Sequence, residues 1–97
     1  MKIVLSKKVT FDKIREACFW DEIESGLGEE FLSEFEKALQ ELIEAPEIFR
    51  LVVPERGIRR YYHKRFHFVI RYRYLKEKET LRILRLHNCS MDHNAFE

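Results

Sequence analysis

The sequence predicts an α+β fold with the element order β-α-α-β-β-β, in one domain spanning residues 1–97. Two observations predict it. Apolar residues recur at helical spacing in the first half of the chain, and the pattern changes to strict alternation after Phe49. With 45% hydrophobic and 36% charged residues, the chain can bury one core. We therefore expect an antiparallel C-terminal meander with an N-terminal helical hairpin packed on one face of the sheet.

The chain opens with KIVL at Lys2–Leu5, an apolar run suited to a buried strand. A first helix is predicted over Lys8–Glu24, with Thr10 near its start as the candidate cap. Its apolar positions suggest which side faces the core. The predicted buried side consists of Phe11, Ile14, Cys18 and Ile23.

A second helix is the clearest element of the sequence. The run Ser25–Gly28 breaks the first helix, the second is predicted over Glu29–Ala45, and Pro46 ends it. Two amphipathic helices joined by so short a link should pack antiparallel. The apolar stripe of the second helix comprises Phe31, Phe35, Ala38, Leu39, Leu42 and Ile43.

Three strands are predicted after the helices, at Gly57–Tyr62, Phe66–Tyr74 and Thr80–His87. In the middle strand, alternation separates an apolar set, Phe66, Phe68, Ile70, Tyr72 and Tyr74, from a second set, His67, Val69, Arg71 and Arg73. The same alternation places Arg82 and Arg85 of the last strand on opposite faces. The first strand needs a neighbour, and the last strand is the expected one.

Charge divides the chain into an acidic half and a basic half. Residues 12–47 hold twelve acids and three bases, whereas residues 55–73 hold seven bases and one acid. Such polarity predicts one surface that attracts an anionic partner, either nucleic acid or an acidic protein. The residues predicted to bind this partner are Arg60, Lys64, Arg65 and Arg73. Trp20 is also predicted to bind a partner. It is adjacent to Phe19 in the first helix, so one of the two rings must point away from the protein core.

Several classes of function are not indicated by any motif. The sequence has no phosphate-binding glycine loop, nucleophile elbow or cofactor signature, so no cofactor is expected. The group His87, Cys89, Asp92 and His93 does not match a zinc-ligand spacing, so no metal is expected. Cys18 and Cys89 form no C-x-x-C motif and are interpreted as reduced packing residues. Apolar runs are too short to span a membrane, which favours a cytoplasmic protein.

Roughly two-thirds of the chain, Ser25 to His87, resembles the RelE/ParE toxin superfamily. The resemblance is carried by LGEEFLSEFEKALQELIEAPEIF, by ERGIRRYYHKRFHFVIRYRY and by the closing ILRLH. Its most specific part is Arg56–Arg60, followed by Phe66 and the strand Val69–Tyr72. The resemblance implies a bacterial growth-inhibiting toxin of a type II toxin–antitoxin system, of the kind associated with plasmid stabilisation. It also implies a cognate antitoxin as partner.

The resemblance leaves the toxin's target open. ParE-like members poison DNA gyrase, whereas RelE-like members cleave mRNA on the ribosome without a metal; an inactive basic binding module is a third reading. If the chain is a nuclease, Arg59 and Arg71 would stabilise charge and His87 would act as the acid or base. Members of the superfamily often carry a basic residue shortly after this histidine. Here Met91 and Asp92 stand in that segment, and this favours the ParE-like reading.

Overall fold

The structure, a computed structural model, describes residues 1–89 and forms a five-stranded mixed sheet with two helices. The strands are ordered β1-β5-β4-β3-β2, with β1 parallel to β5 and the other neighbours antiparallel. The elements are β1 Lys2–Leu5, α1 Lys7–Ile23, α2 Leu27–Glu44, β2 Arg50–Val53, β3 Ile58–His63, β4 Phe68–Leu75 and β5 Thr80–Asn88. The predicted α+β class is confirmed, as is the pairing of the first and last strands. Strand β2 was not predicted.

The start of α1 and the turn after it are fixed by side chains that contact backbone. Ser6, not Thr10, is the N-cap of α1, because its Oγ accepts a hydrogen bond from the N–H of Val9 at 3.2 Å. Gly26 adopts a left-handed conformation with φ of 96° before α2 begins. A Cβ on Gly28 would lie 2.6 Å from the carbonyl oxygen of Ala17. Glycine at position 28 therefore allows the two helices to approach closely.

The apolar stripe of α2 forms the core with one face of the sheet, as the sequence predicts. This helix face of the sheet carries Tyr61, Ile70 and Tyr72, which belong to the core cluster. Phe31 of α2 contacts Phe68 edge-to-face with ring centroids 5.4 Å apart. The buried residues of the α2 stripe are Phe31, Phe35, Ala38, Leu39 and Leu42.

Helix α1 has the opposite orientation to the one predicted. Phe11 is 72% exposed and Ile14 is 59% exposed, whereas Asp12 and Glu16 are buried beside Val9. The predicted buried side of α1, with Cys18 as a packing residue, is therefore wrong, since Cys18 and Ile23 are also exposed.

The reason for this inversion lies at the edge of β5. Strand β1 pairs only with residues 80–83 of β5, and α1 lies against the part of β5 that follows. A carboxylate oxygen of Asp12 accepts a hydrogen bond from the N–H of Leu86 at 3.0 Å. Glu16 accepts one from the side-chain amide of Asn88 at 2.7 Å. Polar groups at the strand edge need polar partners, so α1 turns its acids inward.

A β-bulge changes which residues of β5 share a face. Arg71 of β4 lies opposite Arg85, whereas the next residue, Tyr72, lies opposite Ile83, so Leu84 is an additional residue in β5. The alternation of β5 is therefore reset at Leu84. Arg82 and Arg85 lie on the same face of the sheet, and their predicted separation is wrong because strict alternation assumes a strand without a bulge.

Candidate functional site

Four arginines form a row across four neighbouring strands. Register pairs Arg50 of β2 with Arg60 of β3, Arg60 with Arg71 of β4, and Arg71 with Arg85 of β5. We call these four residues the arginine row, and the sheet face that carries them the arginine face. Neighbouring strands are separated by about 4.8 Å, so the row spans roughly 14 Å. Like charges placed directly opposite each other destabilise a sheet, although the ion pair with Asp12 offsets this cost at Arg85.

A cleft on the arginine face adds two further cations to the row. It has a volume of about 390 Å³ and is lined by seven residues. Its lining comprises the cations Lys8, Arg56, Arg71 and Arg85 and the aliphatic side chains of Val53, Ile58 and Leu84. We call it the cationic cleft. No acid is among these described lining residues, so the cleft suits an anionic group attached to an apolar stem.

Asp12 fixes the position of the last arginine in the row. Its two carboxylate oxygens contact the Arg85 guanidinium at 3.0 and 3.3 Å, and Arg15 contacts one of them at 3.0 Å. Burial acts to raise the pKa of Asp12, but the hydrogen bonds from Arg85 and Leu86 and the charges of Arg85 and Arg15 outweigh it. The pKa of Asp12 therefore lies below its usual value. Asp12 thus remains ionised and holds Arg85 at the strand edge.

His87 lies two residues along β5 from Arg85 of the arginine row, on the same face of the sheet. It is opposite Val69, which is in turn opposite Tyr62, whereas Arg71 is opposite Arg85. Burial lowers the pKa of His87, and the positive charge of Arg85 acts in the same direction. Its imidazole is therefore neutral near neutral pH. The fold brings together His87 and Arg71, two of the residues proposed for a nuclease.

Arg59, the third of those residues, lies on the helix face. Its register partner in β4 is the buried Tyr72. The Nη1 atom donates hydrogen bonds to the carbonyl oxygens of Glu47 at 2.9 Å and Phe49 at 2.8 Å. Arg59 therefore holds the connection between α2 and β2 against β3.

The residues predicted to bind a partner are divided between the two faces. Arg60 and Arg73 lie on the arginine face, and Lys64 is exposed in the turn between β3 and β4. Arg65 forms an ion pair with Glu30 at 2.7 Å on the helix side. Trp20 is half-buried, and its ring lies 5.0 Å from that of Phe66. The predicted basic surface is thus built around Arg60, Arg71 and Arg73.

Four cations of this site were missed or misplaced by sequence reasoning. Arg50 lies in the strand that was not predicted, although the run RLVV at Arg50–Val53 is typical of a strand. Arg85 was not recognised as part of the site, because strict alternation separates it from Arg82 whereas the bulge places both on one face. Lys8 and Arg56 reach the cleft through tertiary packing, for which the sequence contains no local signal.

Comparison with known proteins identifies the family. Residues 11–93 match the family described as the ParE toxin of the type II toxin–antitoxin system parDE. The chain belongs to the ParE toxin family. A comparison with curated protein sequences gives no significant match. The predicted resemblance to the RelE/ParE superfamily is confirmed, and the protein is a ParE-type toxin of a toxin–antitoxin system.

Two solved structures share the fold of this ParE-family toxin. The chromosomal ParDE toxin–antitoxin system from P. aeruginosa has a chain with 17% identity and a TM-score of 0.66, covering 91% of this chain and 95% of that one. The intact E. coli RelBE toxin–antitoxin complex has one with 14% identity and a TM-score of 0.54, covering 90% and 94%. At these identities the likeness concerns the fold. Within residues 1–89, neither helix is long and apolar enough to cross a membrane.

Proposed function

We propose that this ParE-family toxin inhibits growth by binding a protein target, DNA gyrase, through the arginine row and the cationic cleft. We also propose that a cognate antitoxin neutralises it by covering the same face. The observation that supports both proposals is the alignment of Arg50, Arg60, Arg71 and Arg85 across four strands. Four aligned cations give this face a concentration of positive charge that suits an anionic partner.

The chemistry of the face suits an acidic polypeptide segment. Arginine binds carboxylates through two parallel hydrogen bonds, which gives orientation as well as affinity. The aliphatic residues Val53, Ile58 and Leu84 in the cleft can contact the apolar side chains of such a segment. Of the two solved structures of similar fold, one is described as a toxin–antitoxin system and the other as a toxin–antitoxin complex, and this supports an antitoxin as a partner.

A metal-independent endoribonuclease acting on ribosome-bound mRNA is the second candidate. The observation in its favour is the proximity of Arg71 and Arg85 to His87 on one face. RNA cleavage requires activation of the 2′-hydroxyl, protonation of the leaving oxygen and neutralisation of the developing charge. Arg59 was proposed, with Arg71, to neutralise the developing charge. In the structure its guanidinium instead donates hydrogen bonds to two backbone carbonyls. The segment with Met91 and Asp92 lies outside the described residues. Because Arg59 is engaged in these hydrogen bonds, binding is better supported than RNA cleavage.

The experiment is induced expression in bacteria with pulse-labelling of DNA and protein synthesis, followed by supercoiling assays with purified gyrase. We expect DNA synthesis to fall first, with filamentation and an SOS response, and gyrase to be inhibited in vitro. The variant Arg71→Glu with Arg73→Glu should lose both effects. Its matched control is Lys76→Glu with Lys78→Glu, which makes the same charge change in the exposed turn before β5.

The outcomes separate the two candidates. Prompt arrest of protein synthesis with unaffected gyrase would contradict the gyrase proposal and favour the nuclease. Full toxicity of the Arg71 and Arg73 double variant would contradict the assignment of the arginine face, whichever target is affected. Toxicity of the Lys76 and Lys78 control is expected to match that of the wild type.

A further inference from the structure

The outward side of α1 carries an apolar stripe that the core does not use. The stripe consists of residues spaced at three or four positions along the helix, which places them on one side. We define the outer stripe as Lys7, Phe11, Ile14, Cys18 and Glu22, all of which are exposed. Large apolar side chains that are contiguous and exposed mark interaction sites in soluble proteins. The outer stripe shares no residue with the arginine row or with the residues lining the cationic cleft.

A groove lies beside the outer stripe, between the two helices. Its volume is about 360 Å³. Its apolar lining includes Ile14, Ala17 and Cys18 of α1 and Leu32 of α2. Phe11 projects from the same helix about one turn from the groove, with 72% of its surface exposed. The surface therefore carries both a large apolar side chain and a groove of suitable character to receive one.

The two ends of the outer stripe carry charges of opposite sign. Lys7 lies at the N-terminal end, and Glu22 lies at the C-terminal end beside Asp21. A partner helix with one sign of charge would be attracted to one end and repelled by the other. A helix that runs antiparallel with the same charge order matches both ends. A second copy of α1 has this charge order.

We propose that this face of α1 is the interface of a homodimer, in which the α1 helices of two copies pack antiparallel about a two-fold axis. With the axis between Ile14 and Arg15, Lys7 of each copy faces Glu22 of the other. In the same register, Phe11 faces Cys18 of the other copy and enters its groove. A two-fold interface must be self-complementary, and this register pairs opposite charges at both ends and places Phe11 at the partner copy's groove.

The size of the surface sets the expected strength of the dimer. A 17-residue helix is about 25 Å long. We expect the contact made by one such helix pair to lie at or below the lower end of the roughly 1,200–2,000 Å² that is typical of stable complexes. We therefore expect a weak dimer, in equilibrium with the monomer.

The test is sedimentation velocity of the purified chain over a micromolar concentration series in the presence of a thiol reductant. The wild type is expected to shift from monomer to dimer as its concentration rises. Ile14→Lys should remain monomeric throughout, because in the proposed register it places a positive charge opposite Arg15 of the other copy, next to the two-fold axis. Circular dichroism and thermal unfolding serve as folding controls, and little change is expected since Ile14 is exposed.

A charge swap distinguishes this interface from any other. Lys7→Glu alone or Glu22→Lys alone places like charges together twice per dimer, and should weaken association about tenfold. The double variant restores both pairs and should recover wild-type association. Failure of the double variant to recover would overturn the proposed register. A wild-type chain that remains monomeric throughout would overturn the dimer and assign the stripe to a different partner, such as an antitoxin helix.

Discussion

Successive residues of β4 lie in two environments with different physical roles. Ile70 and Tyr72 point to the helix face and are buried against the core. Arg71 and Arg73, which alternate with them, point to the arginine face and lie opposite Arg85 and Arg82. One face removes apolar area from water and stabilises the fold. The other concentrates positive charge, which opposes folding and favours an anionic partner. Alternation along a single strand thus separates the apolar side chains that stabilise the fold from the arginines that we propose bind a partner.

The edge of β5 connects these two environments. Asp12 accepts a hydrogen bond from the backbone of Leu86 and also forms an ion pair with Arg85 of the arginine row. One carboxylate therefore serves both the packing of α1 and the position of a site residue. The predictions that follow are ordered by their expected effect on the free energy of unfolding, and each compares the two faces or the edge between them.

The largest effect is expected on the helix face. Leu39→Ala should lower the free energy of unfolding by about 2–5 kcal/mol, because a buried leucine in the core leaves a cavity. The measurement is chemical denaturation followed by circular dichroism. A loss below about 1 kcal/mol would show that α2 does not contribute to the core as described.

The next effect is expected at the strand edge. Asp12→Ala should cost about 2–3 kcal/mol at neutral pH, since it removes charge-assisted hydrogen bonds from a buried position. The pKa of Asp12 is lowered by folding, so its contribution is present above the unfolded value of 3.8 and is lost as the pH falls through the folded value. The difference between wild type and variant should therefore shrink on acidification. A difference that stays constant down to acid unfolding would contradict the assigned role of the carboxylate.

A matched pair of arginines compares the two faces directly. Arg59→Met should lower the free energy of unfolding by about 1–2 kcal/mol, because the hydrogen bonds to the carbonyls of Glu47 and Phe49 are lost. Arg73→Met should change it by less than about 0.5 kcal/mol, since removing its charge relieves repulsion with Arg82. Both are measured by thermal and urea denaturation. If both substitutions change the free energy of unfolding equally, the assignment of Arg59 to a structural role and of Arg73 to a binding role is wrong.

The smallest effect on folding is expected for Arg71→Glu with Arg73→Glu, although its effect on binding should be large. Circular dichroism should show an intact fold. Titration with the purified cognate antitoxin should show that binding is lost, because each charge-assisted hydrogen bond contributes about 1.5–3 kcal/mol. Wild-type binding should weaken when the ionic strength is raised. If the folded double variant binds as tightly as the wild type, the arginine face is solvated surface and not a binding site.

Much of this protein was determined by local sequence pattern. The periodicity of α2 and the alternation of β4 are set by neighbouring residues, so the α+β class, the α2 core stripe and the two faces of β4 were predictable. The same alternation placed Arg71 and Arg73 together. The family resemblance also rested on local segments, above all Arg56–Arg60.

What the tertiary structure alone decided depends on contacts between distant residues. The orientation of α1 follows from its position at the free edge of β5, where Leu86 and Asn88 need the carboxylates of Asp12 and Glu16. The bulge at Leu84 reset the alternation of β5 and brought Arg85 into the row. A periodicity rule counts residues within one segment and cannot include these partners, which lie more than seventy residues apart. The sequence alone therefore identified a basic face, and only the fold determined which cations form its row.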